Sequence, residues 1–271
     1  MKIKLRDDIR EFQDGLTLAE IASAVSEGLA RAALCAKVDG VLRDMSTVID
    51  KDCEVEFLTF ADEDGKKVYR HSAAHIMAQA VKRIYPTAKI AIGPAIENGF
   101  YYDFDFQTPL PKDALEGIEA EMKKIIKENI KIVREEVTKK QAISLMKELN
   151  EKYKIELLND IEDSQTITLY RQGDFIDLCA GPHVPSTGYI KAFKLTALTG
   201  AYWRGDEKNK MLTRIYGAAF DKKSDMLAYL AAVEEAKKRD HNKLGRELGI
   251  FMTDEKIGQG LPLLMPKGAK L

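Results

Sequence analysis

Residues 1–25 read MKIKLRDDIREFQDGLTLAEIASAV, and two different hydrophobic periods lie side by side in them. Ile3 and Leu5 alternate with Lys2, Lys4 and Arg6, the period of two that suits a half-buried strand. Asp14-Gly15 supplies a hairpin turn signal. Thr17 and Glu20, three residues apart, fit the capping box that opens a helix, and Leu18, Ile21, Ala22 and Val25 then recur at helical spacing. Asp39-Gly40 marks a second turn, and Cys53, Val55 and Phe57 alternate with Glu54 and Glu56 as a last strand. Two strands, a helix and further strands over residues 1–62 compose a small α+β domain. That order fits the β-grasp type and also a generic α+β fold.

Outward from this unit, Asp62-Glu63-Asp64-Gly65-Lys66-Lys67 reads as a linker or tight turn. HSAAHIMAQAVKRIY, from His71, is a helix stopped by Pro86. KIAIGPAIENGFYYDFDF mixes strand residues with Gly93, Pro94 and Gly99. Two helices follow. Asp113 is the expected cap of the first, whose buried stripe is Leu115, Ile118, Met122 and Ile125; Thr138 and Gln141 form a capping box for the second, which carries Ile143, Met146 and Leu149. TITLYRQ, DFIDLC, AFKLTALTGAYWRG and MLTRIYGAAF are strand-like, with Gly173-Asp174 and Asn209 at hairpin positions. Residues 63–222 therefore form a second, larger α+β domain. A single polar helix is expected over 221–247, with its body at 223–244 and sparse apolar residues Leu227, Leu230, Val233 and Leu244. The last stretch, within 245–271, turns Gly- and Pro-rich and reads as the start of a further domain.

The 271 residues are 45% hydrophobic, enough for one large domain or two small ones. Charged residues make up 31% but sum to a net charge of −1, so a nucleic-acid partner would have to be met by a local basic face. Lys123, Lys124, Lys127, Lys131 and Arg134 form one candidate, and Lys237, Lys238, Arg239, Lys243 and Arg246 another. Acids are interspersed in both, which equally describes a solvated helix face. Three irregularly spaced cysteines make no disulfide framework and point to a reducing compartment. With no apolar signal core at the start and no run approaching about 18 apolar residues, a cytoplasmic protein is expected. No Gly-rich phosphate loop is present, which argues against a GTPase.

Three of the four histidines fall into two short patterns. His71 and His75 are spaced i, i+4 on a predicted helix, hence on one face. Cys179 and His183 form C-x-x-x-H around Gly181-Pro182, on an expected turn. Three readings compete: a zinc site, since Cys-His₃ suits that metal; a metal-free hydrolytic site in which imidazoles move protons or orient water; or four residues that never meet. Asp177 lies two residues before Cys179, on a strand would face the same way, and is read either as orienting a histidine or as binding an amine. Tyr101, Tyr102 and Asp103 follow Gly99 at a strand start, where core packing is the alternative. Lys154 lies at a helix-to-strand junction in NEKYKIELL, where a solvated surface charge is the alternative.

HSAAHIMAQAV, DLCAGPHVPSTG and AYWRGDEKNKMLTRIYGAAF together resemble the editing domain shared by threonyl- and alanyl-tRNA synthetases, and YWRGDEKNKMLTRIYG resembles the threonyl type. Residues 1–62 resemble a TGS domain, a β-grasp (ubiquitin-like) unit shared with some GTPases and stringent-response enzymes. GLPLLMPKGA resembles the opening of a class II catalytic core. The resemblance covers the whole chain and implies a TGS domain at 1–62, an editing domain at 63–222, a connector helix at 223–244 and the start of an aminoacylation domain at 245–271.

The implied activity is hydrolysis of mischarged seryl-tRNA(Thr). Serine and threonine differ by one methyl, worth only about 1–3 kcal/mol in a pocket, so a second site must reject serine. The resemblance implies that His71 and Lys154 position or activate a water, that His183 and Cys179 hold the terminal adenosine and the seryl group, and that Asp177 meets the substrate amine. His75 and Tyr102 line the same pocket. In alanyl-type relatives His71, His75, Cys179 and His183 would be zinc ligands; in the threonyl type no metal or other cofactor is expected at these positions. The implied partners are tRNA(Thr) and seryl-tRNA(Thr). The parent enzyme would ligate threonine to tRNA(Thr) as a homodimer, with ATP, Mg and one zinc in its catalytic core, while this chain alone is expected to be a monomer. Two alternatives are a freestanding zinc-dependent deacylase of the alanyl-editing type and a non-catalytic RNA-binding or regulatory module built around residues 1–62.

Overall fold

The computed structural model describes residues 1–6, 8–254, 258 and 261–270. It forms two compact units, Met1–Lys223 and Ser224–Leu271.

In the first unit, β1 (Lys2–Leu5), β2 (Asp8–Glu11), β3 (Leu16–Thr17), α1 (Leu18–Val25), α2 (Glu27–Ala32), β4 (Cys35–Val38), β5 (Val41–Arg43), β6 (Val48–Ile49) and β7 (Cys53–Leu58) come first. Five of the strands make a sheet in the order β2-β1-β7-β4-β5, with β1 and β7 parallel at its centre and the other pairs antiparallel. Ile3, Val55 and Phe57 from the sheet pack with Leu18, Ile21 and Ala22 of α1, whose predicted capping box is present in both directions. This is the β-grasp arrangement. The first hairpin closes earlier than expected, because Leu5 pairs with Asp8; Asp14-Gly15 instead carries the chain from β2 into β3.

The next element, α3, spans Glu63–Ile84, so the charged run expected to be a linker is its first turn. Glu63 and Asp64 face the positive end of the helix dipole. Gly65 belongs there because a Cβ would collide with the carbonyl of Thr59. Ala73, Ala74, Ile76, Met77, Ala78, Ala80 and Val81 are all fully buried, so the middle of α3 lies inside the protein, with its few polar side chains buried among them.

Around α3 stand β8 (Lys89–Ile90), β9 (Ala95–Ile96), β10 (Gly99–Asp105), α4 (Ala114–Glu128), β11 (Ile132–Val137), α5 (Lys139–Glu148), α6 (Lys152–Asn159), β12 (Ile167–Gln172), β13 (Phe175–Leu178), β14 (Ala192–Tyr202) and β15 (Met211–Phe220). They form one sheet in the order β14-β15-β10-β8, with β9 also on β10, and a three-stranded sheet β11-β12-β13. Both are antiparallel. Asp113 sits at the start of α4 but makes no side-chain capping bond, whereas Thr138 and Gln141 cap α5 reciprocally. The expected helix-to-strand junction at Lys154 is a third helix, α6. Leu34, Cys35 and Leu58 of the β-grasp unit pack in the same core as α3 and β10.

In the second unit, the single helix expected over 221–247 is two: α7 (Lys223–Lys238) and α8 (His241–Glu247). Asp240 stops the first and starts the second, since its side chain accepts the Lys243 N–H at 2.8 Å in place of a continued helix. A hairpin of β16 (Phe251–Thr253) and β17 (Pro262–Leu264) follows. Residues 255–257, 259, 260 and 271 of the tail read as a domain opening lie outside the described residues. Among the described residues, no helix is long and apolar enough to cross a membrane.

Candidate active site

His71 and His75 lie one turn apart on α3, and their ring centroids are 4.8 Å apart. β13 delivers Asp177, and the chain then turns so that His183 lies 4.5 Å from the His71 ring and 4.1 Å from the His75 ring. That turn uses Gly181 at φ 68, where a Cβ would collide with the Tyr170 hydroxyl, so only glycine lets the loop lie against Tyr170. The donor atoms of His71, His75, Cys179 and His183 all lie within 4.8 Å of one another. The reading in which these four residues never meet is therefore excluded.

Hydrogen bonds fix the imidazole tautomers. His71 Nδ1 is 3.0 Å from the carbonyl oxygen of Gly93, which can only accept, so Nδ1 carries the proton and Nε2 presents a lone pair. The Ser72 hydroxyl donates to Val68 O at 2.8 Å, and its oxygen accepts from Val184 N and from His183 Nδ1, the latter at 3.1 Å. His183 thus also presents Nε2. Both lone pairs face the Cys179 sulfur, at 2.9 Å from His71 and 3.5 Å from His183.

Behind the histidines lies a buried ion pair. Lys154 Nζ is 2.6 Å from Asp177 Oδ1 and donates to the Tyr102 hydroxyl at 3.0 Å; Tyr102 donates in turn to Asp177 Oδ2 at 2.6 Å. His75 Nε2 lies 3.5 Å from that same oxygen. Asp177 and Lys154 have side chains 1% and 3% exposed, so Lys154 is no surface charge. Its helix is fastened at Glu151, which pairs with Lys82 at 2.7 Å and accepts from Ile90 N at 2.9 Å. The sequence reading gives Asp177 to the substrate amine; in the structure both of its oxygens are engaged by Lys154 and Tyr102. Tyr102 is fully buried on β10, and Tyr101, its neighbour, stacks under Arg214 instead.

Burial sets the protonation states. It lowers the pKa of His71, and it pushes those of His75 and His183 well below the ordinary imidazole value, helped by the neighbouring rings and, for His75, by Lys154. Burial and the Asp177 charge push the Cys179 thiol up to about 12. Near neutral pH the cluster therefore offers three neutral imidazoles and a protonated thiol. That combination suits proton transfer and hydrogen bonding, not thiolate attack.

A Cys-His₃ set has the donor chemistry of a zinc site, with His71 and His183 each oriented by a second bond as zinc-bound histidines are. Bond lengths of about 2.0–2.3 Å and a tetrahedral angle would hold nitrogen and sulfur ligands roughly 3.5 Å apart. His71 Nε2 and Cys179 Sγ are in direct hydrogen-bonding contact at 2.9 Å. The residues fit zinc by type, and His71 and Cys179 would have to separate to admit it.

The sequence singled out neither Ser72, between the two helical histidines, nor Gly93, whose carbonyl orients His71. Gly93 has a readable reason: a Cβ there would collide with the Tyr102 ring. The two basic stretches are interleaved with acids, as Lys124 pairs with Glu121 at 2.8 Å, Arg134 with Glu136 at 2.6 Å, Lys237 with Glu234 at 2.9 Å and Arg239 with Glu235 at 3.0 Å. Lys123, Lys127 and Lys131 are exposed.

A β-grasp unit shares its core with an α+β domain that encloses an HxxxH and CxxxH cluster. Two domain families match parts of this arrangement. Residues 2–59 match the TGS domain, and residues 167–216 match the family described as Threonyl and Alanyl tRNA synthetase second additional domain. All of the chain aligns with the threonine–tRNA ligase of Acetivibrio thermocellus at 57% identity, covering 43% of that protein. The threonine–tRNA ligases of Clostridium perfringens and Clostridioides difficile are 55% and 53% identical to it, again over all of the chain and 42% of theirs. The chain is similar to these curated threonine–tRNA ligases over all of its own length and spans somewhat under half of theirs.

Proposed function

We propose that this chain hydrolyses the ester bond of seryl-tRNA(Thr), clearing serine attached in place of threonine, and that it does so without a metal. The observation that carries this reading is the closed cluster of neutral His71, His75 and His183 around the protonated Cys179 thiol. For the reaction the Cys179 S–H turns from His71 Nε2 to the lone pair of His183 Nε2, and a water then held at His71 Nε2 loses its proton to that nitrogen as its oxygen adds to the ester carbonyl carbon. The ester C–O bond then breaks, and the proton passes to the departing ribose oxygen, releasing serine and an intact tRNA 3′ end. Cys179 and His183 face the seryl group and the terminal adenosine. Lys154, bound to Asp177, orients the site with Tyr102 and His75 rather than accepting protons itself. The direct 2.9 Å contact between His71 and Cys179 supports the metal-free form.

The partner is tRNA(Thr), with exposed Lys123, Lys127 and Lys131 as candidate phosphate contacts. Ligation of threonine with ATP belongs, on this reading, to the longer parent enzyme.

The test is deacylation of seryl- and threonyl-tRNA(Thr) by the chain, with and without a chelator. Faster loss of serine in both conditions supports the proposal. Serine hydrolysis abolished by chelator replaces the metal-free form with a zinc site at His71, His75, Cys179 and His183. Equal rates on the two substrates contradict the editing assignment.

A further inference from the structure

Asp44 belongs to the β-grasp unit, in the turn between β5 and β6, yet its carboxylate lies against the histidine cluster. Oδ1 accepts the backbone N–H of His183 at 2.9 Å, and Oδ2 accepts the Tyr170 hydroxyl at 2.8 Å. Arg134 Nε lies 4.0 Å from the same Oδ2. Tyr170 packs edge-on to the His183 ring, with centroids 4.5 Å apart, and its hydroxyl occupies the space a Cβ on Gly181 would need. One carboxylate therefore fastens both sides of the Cys179–His183 loop: the end that carries the imidazole, and the tyrosine on which the middle rests.

The other side of this contact is rigid. The carbonyls of Met45 and Thr47 accept the N–H groups of Ala19 and Leu18 in the first turn of α1, and Met45 is buried in the β-grasp core. Asp44 is thus held by the small domain's core and transmits that position to His183. Asp44 is 8% exposed, and at a buried site a lost acceptor leaves two donors to be satisfied by something else. A cleft of about 420 Å³, lined by Asp44, Met45, Lys131, Val133, His183 and Pro185, lies alongside. Water from that cleft can satisfy the two donors, so the fold tolerates the loss of the carboxylate while the loop loses its fixed position.

We propose that Asp44 is a positioning residue for the hydrolytic site, through which the TGS-type domain sets the placement of His183 and Cys179. The proposal deepens the editing reading and rests on it, since the loop matters for rate only if the cluster is the site.

The experiment uses the full chain with Asp44→Ala, Asp44→Asn and Tyr170→Phe, and two readouts. The first is the kcat and KM of seryl-tRNA deacylation. The second is the alkylation rate of Cys179 by iodoacetamide, followed on its own peptide by mass spectrometry, which needs no tRNA and no activity. Asp44→Ala should lower kcat by about 100-fold with little change in KM, the scale expected when a reacting group is displaced by about an ångström. It should also raise Cys179 alkylation by at least about 10-fold as the loop loosens. Asp44→Asn keeps an acceptor for His183 N, and Tyr170→Phe removes only the second bond, so both should fall between Asp44→Ala and the parent chain. If Asp44→Ala does not fold, the same ordering among the other two variants and the parent carries the test. Parent-like kcat and alkylation in all folded variants would overturn the proposal. If the parent chain itself does not deacylate, the editing reading fails while alkylation still decides whether Asp44 positions the loop.

Discussion

α3 and α7 are both long helices with lysines along them, yet they are opposite kinds of object. α3 is buried on nearly every side, and the charges that matter around it, Lys154 and Asp177, are withdrawn from water and matched one to one. Along α7 the lysines are solvated: Lys237 and Glu234 have side chains 66% and 64% exposed across a 2.9 Å contact. The same pairing of ammonium with carboxylate therefore carries different consequences. Near α3 each partner is what keeps the other tolerable, and on α7 water would replace either.

The largest expected effect follows from breaking the buried pair. Lys154→Ala leaves the Asp177 carboxylate buried without its cation and should cost about 3–5 kcal/mol of unfolding free energy by denaturant titration. Adding Asp177→Asn, which removes the stranded charge but keeps an acceptor for Tyr102, should recover most of that loss; no recovery would show that the cost lies in packing.

A smaller effect concerns acid. The three clustered histidines have folded pKa values below the ordinary 6.5, so below that pH the unfolded chain binds protons that the folded chain refuses. Their contribution is intact above 6.5 and is lost as pH falls, so stability should decline from pH 6.5 toward about 5. His75→Gln should flatten that decline, and an unchanged slope would mean that the ring is not held neutral.

The smallest effect belongs to the other helix. Lys237→Ala should leave the melting temperature unchanged within error, and a clear loss would show that the α7 surface is more than a solvated face.

What was legible in the sequence follows the same division. Local signals were readable: the capping boxes at Thr17–Glu20 and Thr138–Gln141, the alternation of β1 and β7, and the i, i+4 histidines all involve residues within a turn of one another. The start of α3 was not, because an acidic run with a glycine looks like a linker until Thr59 is seen pressed against Gly65. The fate of Lys154 was hidden for a related reason. A lysine is ordinarily solvated, and its burial depends on a carboxylate 23 positions away on another element. Asp44 lies 139 residues from the histidine it holds, beyond the reach of any local pattern.

The most direct test of the central claim is the rate of seryl-tRNA(Thr) deacylation by His71→Ala beside the parent chain, with a thermal melt of each. On the proposed mechanism His71 acts through Nε2, and its side chain is only half-buried, so the variant should melt cooperatively near the parent temperature. Its deacylation rate should fall by about 100-fold or more. A folded His71→Ala chain that hydrolyses seryl-tRNA at the parent rate would contradict the account.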